Sequence, residues 1–142
     1  MFAKQLTVFI ENRAGRLSEV LAVLQKNNVN ILSLSLADTT EFGLLRLIVD
    51  NAAYGKEKLT ENGFSSLLSD VSIIQIPHKV GSLGDLLKSI DENGINIEYM
   101  YGLSVESEKA YIVLKASDIE KVDKILEENG IRTISCSELA DI

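Results

Sequence analysis

A chain of 142 residues with 46% hydrophobic and 25% charged content has the ordinary mix of a globular protein, which excludes collagen, coiled coil and tail-like disorder. Its 14 Lys and Arg stand against 21 Asp and Glu, a net charge of -7 with the acidic residues scattered, so no nucleic-acid partner is expected. At this length roughly 68% of the unfolded surface can be buried, against nearer 60% for half the chain, which leaves room for one domain or two small mutually supporting ones.

In chain order, Gln5 to Ile10 reads as a strand, and Leu17, Val20, Leu21 and Leu24 give the spacing of one helix face that Asn27-Asn28 ends. Ile31, Leu32, Leu34 and Leu36 begin a second strand, and the polar turn Asp38 to Glu41 leads to a third, Leu44 to Val49. Asn51 to Asn62 is a weaker helix closed by Gly63, and Phe64 to Leu68 a short fourth strand. After a join at Ser69-Asp70 the series repeats: strand Val71 to Ile76, helix Leu83 to Asn93, strands Ile97 to Val105 and Ala110 to Lys115, helix Asp118 to Asn129, and strand Thr133 to Ser137. Ser117 with Glu120 reads as a capping box for that last helix, and Gly130 as its left-handed cap.

The repetition is explicit. With a shift of 66 residues, Gly15 to Ile31 meets Gly81 to Ile97, matching Gly, Leu, Leu, Asn, Asn and Ile. Each copy is therefore read as βαββαβ, which right-handed crossovers close into a four-stranded antiparallel sheet with both helices on one face. The expected fold is α+β, two tandem ferredoxin-like units at residues 1–70 and 71–142, with no Pro, Gly or Ser-rich linker to separate them. Apolar residues sit on both sides of the strands, as in Leu44, Leu45, Leu47, Ile48 and Val49, so the uncovered face or edge should be buried by the other copy or by another chain.

After the first strand the chain runs Asn12-Arg13-Ala14-Gly15-Arg16-Leu17, and the same point of the second copy is His78-Lys79-Val80-Gly81-Ser82-Leu83. A glycine here lets the backbone turn sharply into the helix and leaves its first N–H groups free to hold a carboxylate. An α-amino acid needs donors for its carboxylate and acceptors for its ammonium, and asparagine supplies both. Arg13, Arg16 and Lys79 are solvated loop charges that could also steer a carboxylate.

These residues resemble the ACT domain family, the small regulatory modules of amino-acid metabolism, over essentially the whole chain. The family pattern is a strand, N/D-x-P-G-x-L, a helix and V/I-N-I; Asn12 to Leu17 matches it with Ala14 in the proline position, and Val29-Asn30-Ile31 supplies the end. The stretch is particularly similar to the regulatory domain of phosphoglycerate dehydrogenase, where the residues matching Asn12 and Asn30 hold serine across a domain interface, which implies the same role for them here. Where that relative uses a histidine, this chain has Ile10. The second copy keeps Asn96-Ile97 but places His78 where the first has Asn12, so its pocket should differ. Within one unit Asn12 and Asn30 lie at opposite ends of the helix. If two units pair side by side through the first helix and second strand, one loop can face the other unit's Asn30, with the ligand at the seam.

Catalysis has little to stand on, because one histidine and one cysteine in different elements give neither a nucleophile with its base nor a metal cluster. No cofactor or metal is expected. RNA-binding domains of this layout want exposed aromatics on a basic sheet, and metal carriers a C-x-x-C loop; neither is present. Tyr99-Met100-Tyr101 reads as packing. The solitary Cys136 agrees with a reducing compartment and is expected in the late strand. The longest apolar runs fall far short of the ~20 residues needed to span a bilayer, and the N-terminus does not read as a secretion signal, so a cytoplasmic protein without a membrane partner is expected.

The function expected is a stand-alone tandem ACT protein that binds a free amino acid or related small carboxylate. It would form a homodimer or act allosterically, by contact, on an enzyme or transporter encoded elsewhere. The alternative is a protein–protein interaction module without a small-molecule ligand. An enzyme using His78 with neighbouring acidic residues is the third and remotest reading.

Overall fold

The computed structural model describes residues 2–38, 41–105 and 108–141. Contacts divide the chain into two units, one comprising Lys4–Ser69 with the chain from Leu139 onward, the other Asp70–Glu138 with the chain up to Ala3. The first half supplies β1 (Ala3–Glu11), α1 (Arg16–Lys26), β2 (Ile31–Asp38), β3 (Phe42–Val49), α2 (Ala52–Glu61) and the start of β4 (Ser65–Pro77). The second half follows with α3 (Ser82–Glu92), β5 (Ile97–Val105), β6 (Lys109–Ala116), α4 (Ile119–Glu128), β7 (Arg132–Ile134) and α5 (Cys136–Ala140).

In the first unit the strands lie in the order β2-β3-β1-β4. Register sets which side chains meet the helices. Leu6 lies opposite Leu47, Val8 opposite Leu45 and Ile10 opposite Gly43, while the alternate pairs Thr7–Arg46 and Phe9–Leu44 face the other way. Val20 and Leu24 of α1 and Leu59 of α2 close over the first set, giving one core with Val29, Val49 and Phe64. Gly55 of α2 faces this core, where a Cβ would make ordinary contact with Leu6 Cδ2 at 3.4 Å and Leu24 Cδ2 at 3.5 Å. Both helices thus pack on one face, as the repeat implies.

The second unit is built alike, in the order β5-β6-β4-β7 with every pairing antiparallel. Ile74, Ile76, Ile112 and Leu114 meet Leu86 and Ile90 of α3 and Val122, Ile125 and Leu126 of α4. Leu24 and Ile90, 66 positions apart, are both wholly buried.

Three local expectations need correcting. The strands expected at Phe64 to Leu68 and Val71 to Ile76 are one strand, β4, because Ser69-Asp70 contains neither Pro nor Gly to interrupt an extended backbone. The strand expected over Thr133 to Ser137 ends at Ile134, and Cys136 opens the short helix α5 instead. There Ser135 Oγ accepts from the Glu138 N–H at 3.1 Å, while Glu138 Oε1 accepts from Ser135 N–H at 3.4 Å, a reciprocal cap that turns the chain out of the sheet. Finally, α4 is capped by Asp118, whose Oδ1 accepts from Lys121 N–H at 3.1 Å. Ser117 spends its hydroxyl on the Asn96 N–H at 3.3 Å, so the capping box read at Ser117 and Glu120 does not form.

Candidate functional site

Gly15 and Gly81 occupy equivalent points at the mouths of α1 and α3, with φ of 88° and 91°. This left-handed conformation is open to glycine and strained for residues with a Cβ, which is why a glycine turns strand into helix at both places. The surrounding backbone bonds repeat as well. Arg13 N–H donates to Glu11 O at 2.8 Å and Lys79 N–H to Pro77 O at 3.1 Å; Glu19 N–H donates to Gly15 O at 3.0 Å and Asp85 N–H to Gly81 O at 2.9 Å. Asn12 N–H reaches Glu41 O at 3.4 Å, and His78 N–H reaches Glu108 O at 2.9 Å. In each loop the main chain is tied to the β-hairpin beside it, leaving the side chains to differ.

The first loop borders a cavity of about 280 Å³ lined by Ile10, Glu11, Asn12, Arg13 and Leu17 together with Leu36, Ala37, Asp38 and Gly43. Its floor is apolar. Gly43, opposite Ile10, holds the floor open, because a Cβ there would stand 3.1 Å from Ile10 Cγ1 and 3.4 Å from Leu36 Cδ1. Its rim is charged: Arg13 Nε donates to Glu11 Oε2 at 2.9 Å in an exposed pair, and the exposed Asp38 also lines the cavity. The first-turn N–H groups of α1, beyond Gly15, have no carbonyl of their own helix to bond and add a positive field.

Of the residues read from sequence, Asn12, Arg13 and Leu17 come together here. Ala14 and Gly15 form the exposed turn behind them. Arg16 turns elsewhere: its guanidinium lies over the Phe64 ring, 4.5 Å from the centroid, and donates to Glu19 Oε2 at 2.6 Å. Asn30 and Ile31 line a different cavity of about 330 Å³ at the far end of α1, with Leu21, Gln25, Asn28 and Val29. There the main chain of Asn30 is pinned to Asp50, N–H to Oδ1 at 3.0 Å and O from the Asp50 N–H at 3.1 Å, while its side chain is exposed.

In the second unit Asn96 has the same pin, to Ser117 in place of Asp50. Ile97 starts β5 and packs against the second core. His78, Lys79, Val80 and Gly81 are all exposed, and Leu83 is partly so. Ser82 opens α3 with a buried hydroxyl for which no described residue is a partner. Among the described residues no group of three or more His, Cys, Asp or Glu is placed to hold a metal ion, and no helix is long and apolar enough to cross a membrane.

Glu11, Leu36, Ala37, Asp38 and Gly43 complete the cavity and were not singled out from sequence. Gly43 carried a signal, since a glycine beside a strong strand run marks close approach of neighbouring groups. Asp38 and Leu36 carried none, because only the register of β2 on β3 brings them to the loop.

Two βαββαβ units, each with a left-handed glycine opening its first helix and an asparagine where its second strand begins, define a tandem regulatory fold of the ACT class. The sequence matches the family described as ACT domain pair over residues 1–142, and the chain belongs to that family. A protein from Bacteroides thetaiotaomicron of known crystal structure is 35% identical, over 100% of this chain and 98% of its own, with a TM-score of 0.93. The regulatory subunit of aspartate kinase from Thermus thermophilus, in its ligand-free form, is 16% identical over 88% of this chain and 91% of its own, with a TM-score of 0.62. Its counterpart from Thermus flavus is 15% identical over 88% and 90%, with a TM-score of 0.57; both likenesses are of fold. Among curated proteins none matches the sequence.

Proposed function

We propose that the chain is a non-catalytic regulatory protein that binds a free amino acid or similar small carboxylate where ACT domains meet, and that it regulates a partner in amino-acid metabolism. The observation that carries this reading is the cavity at the opening of α1, where Asn12, Arg13, Leu17 and Asp38 border a space of metabolite size. Such a rim can meet both charges of a zwitterion. The membership of the chain in the ACT domain pair family supports the reading, and so does the regulatory role named for the aspartate kinase subunits that share its fold.

The proposed seam is formed by a second copy of the chain or by the regulated enzyme, brought against α1 and the edge strand β2. Leu34 and Leu36 on that strand are about half exposed, which gives a partner apolar surface to cover. The ligand then acts by its differential affinity for the paired state.

A thermal-shift screen of the common amino acids tests this. Saturation at a hundredfold excess over the dissociation constant adds roughly 2.7 kcal/mol of stability. No shift with any amino acid or small carboxylate contradicts ligand sensing. The exposed Leu34 and Leu36 then favour the second reading, an interaction module without a small-molecule ligand.

A further inference from the structure

Resting on the reading above, we infer that the first unit's cavity selects an α-amino acid with an aliphatic side chain, in the size range of valine to leucine, and that the second unit's loop has no counterpart of this site. The floor decides the side chain. The side chains of Ile10, Leu17 and Leu36 and the bare Gly43 offer a ligand's side chain no hydrogen-bonding partner, so a hydroxyl or charge placed against them would lose water without compensation from them. An aliphatic chain gains instead, by about ten- to a hundredfold in affinity over a ligand lacking it. The volume of about 280 Å³ lies just below the range of drug-sized pockets, as a single amino acid requires.

The rim decides the head group. Asp38 offers the acceptor that an ammonium needs, and Arg13 with the Asn12 side-chain amide offers donors to a carboxylate, Glu11 already sharing its charge with Arg13 at 2.9 Å. A dicarboxylate would bring a second negative charge against Asp38 and Glu11.

Register locates the counterparts in the second unit. Ile76 lies opposite Ala110 as Ile10 lies opposite Gly43, and Gly102 stands opposite Ile112 as Leu36 stands opposite Leu45. The floor there loses its leucine and gains a methyl group, while Pro77 and His78 replace Glu11 and Asn12 at the rim. Among the described residues, the cavity of about 330 Å³ beside Ile76 and Pro77 is bordered by Glu108, Lys109 and Arg132 and has no leucine in its lining, so it differs from the first in both rim and floor.

Calorimetric titration of the full chain with L-leucine, L-isoleucine, L-valine, L-serine, L-aspartate, L-lysine, glycine and 4-methylpentanoate tests the inference. The aliphatic amino acids should bind at least tenfold more tightly than serine, aspartate or glycine. Leu36→Ala, at a half-exposed position that the fold tolerates, should weaken leucine about tenfold and leave glycine unchanged. Asp38→Asn should weaken leucine about tenfold but not 4-methylpentanoate, which has no ammonium. Preference for serine, lysine or aspartate, or leucine binding indifferent to Leu36→Ala, overturns this inference and leaves amino-acid sensing intact. Absence of binding by every compound overturns this inference, and amino-acid sensing falls with it when the full screen of common amino acids also gives no shift.

Discussion

The loops Glu11–Leu17 and Pro77–Leu83 have nearly the same backbone and different side chains. Both turn on a left-handed glycine, and in both the third residue's N–H donates to the first residue's carbonyl and the second residue's N–H to the adjacent hairpin. One nonetheless borders a cavity with an acidic rim and a leucine-lined floor, while the other presents His78, Lys79 and a fully exposed Val80 and meets, through Pro77, a cavity bordered by Glu108, Lys109 and Arg132. Main-chain geometry here is a scaffold that duplication preserves, and the chemistry resides in the few side chains that register brings against it.

The comparison can be broken at the level of the scaffold. Leu24→Ala and Ile90→Ala remove equivalent, wholly buried side chains, and each should cost about 2–5 kcal/mol in denaturant unfolding. A negligible cost at either position would mean that the cores are not equivalent. The sharpest contrast lies in binding. Asn12→Ala and Asn30→Ala should each abolish the ligand-dependent stabilisation, of roughly 2.7 kcal/mol at a hundredfold excess, while the unliganded melting curve stays put. His78→Ala should leave both quantities unchanged, and full ligand affinity in both Asn variants would refute the site.

Smaller effects probe the shared geometry. Gly15→Val and Gly81→Val force a β-branched residue into a left-handed conformation and should each cost about 1–2 kcal/mol or more, with loss of ligand response in the first only. Asn51 and Asp118 cap α2 and α4 in equivalent fashion, at 3.2 Å and 3.1 Å, so alanine at either should cost about 1 kcal/mol in thermal unfolding. Ser117→Ala, outside the cap, should cost less than Asp118→Ala; the reverse order would restore the capping box read from sequence.

Much of the fold was legible because its determinants are local. The period of Leu17, Val20, Leu21 and Leu24 and the glycines at positions 15 and 81 locate α1 and its counterpart without any knowledge of tertiary contacts. Errors arose where two local signals competed. Thr133 to Ser137 has strand propensity, but the reciprocal bonds of Ser135 and Glu138 nucleate a helix there. At Ser117-Asp118 either residue could cap α4, and the nearby Asn96 N–H took the serine.

The candidate site was half legible. Asn12, Arg13 and Leu17 are contiguous with the glycine and were read with it, whereas Leu36, Asp38 and Gly43 reach the same cavity only through strand pairing. Sequence placed Asn12 and Asn30 at opposite ends of one helix, and they indeed line separate cavities. Uniting them in one ligand site needs the second protein surface proposed above.

The most direct measurement is a map of backbone amide chemical shifts during titration of the full chain with L-leucine. Perturbations should concentrate at Ile10 to Leu17 and at Leu36, Ala37, Asp38 and Gly43, with Asn30 moving if a second copy completes the site. The loop from His78 to Leu83 should stay silent. Saturable shifts centred on that second loop, or a spectrum that leucine leaves untouched, would contradict the assignment.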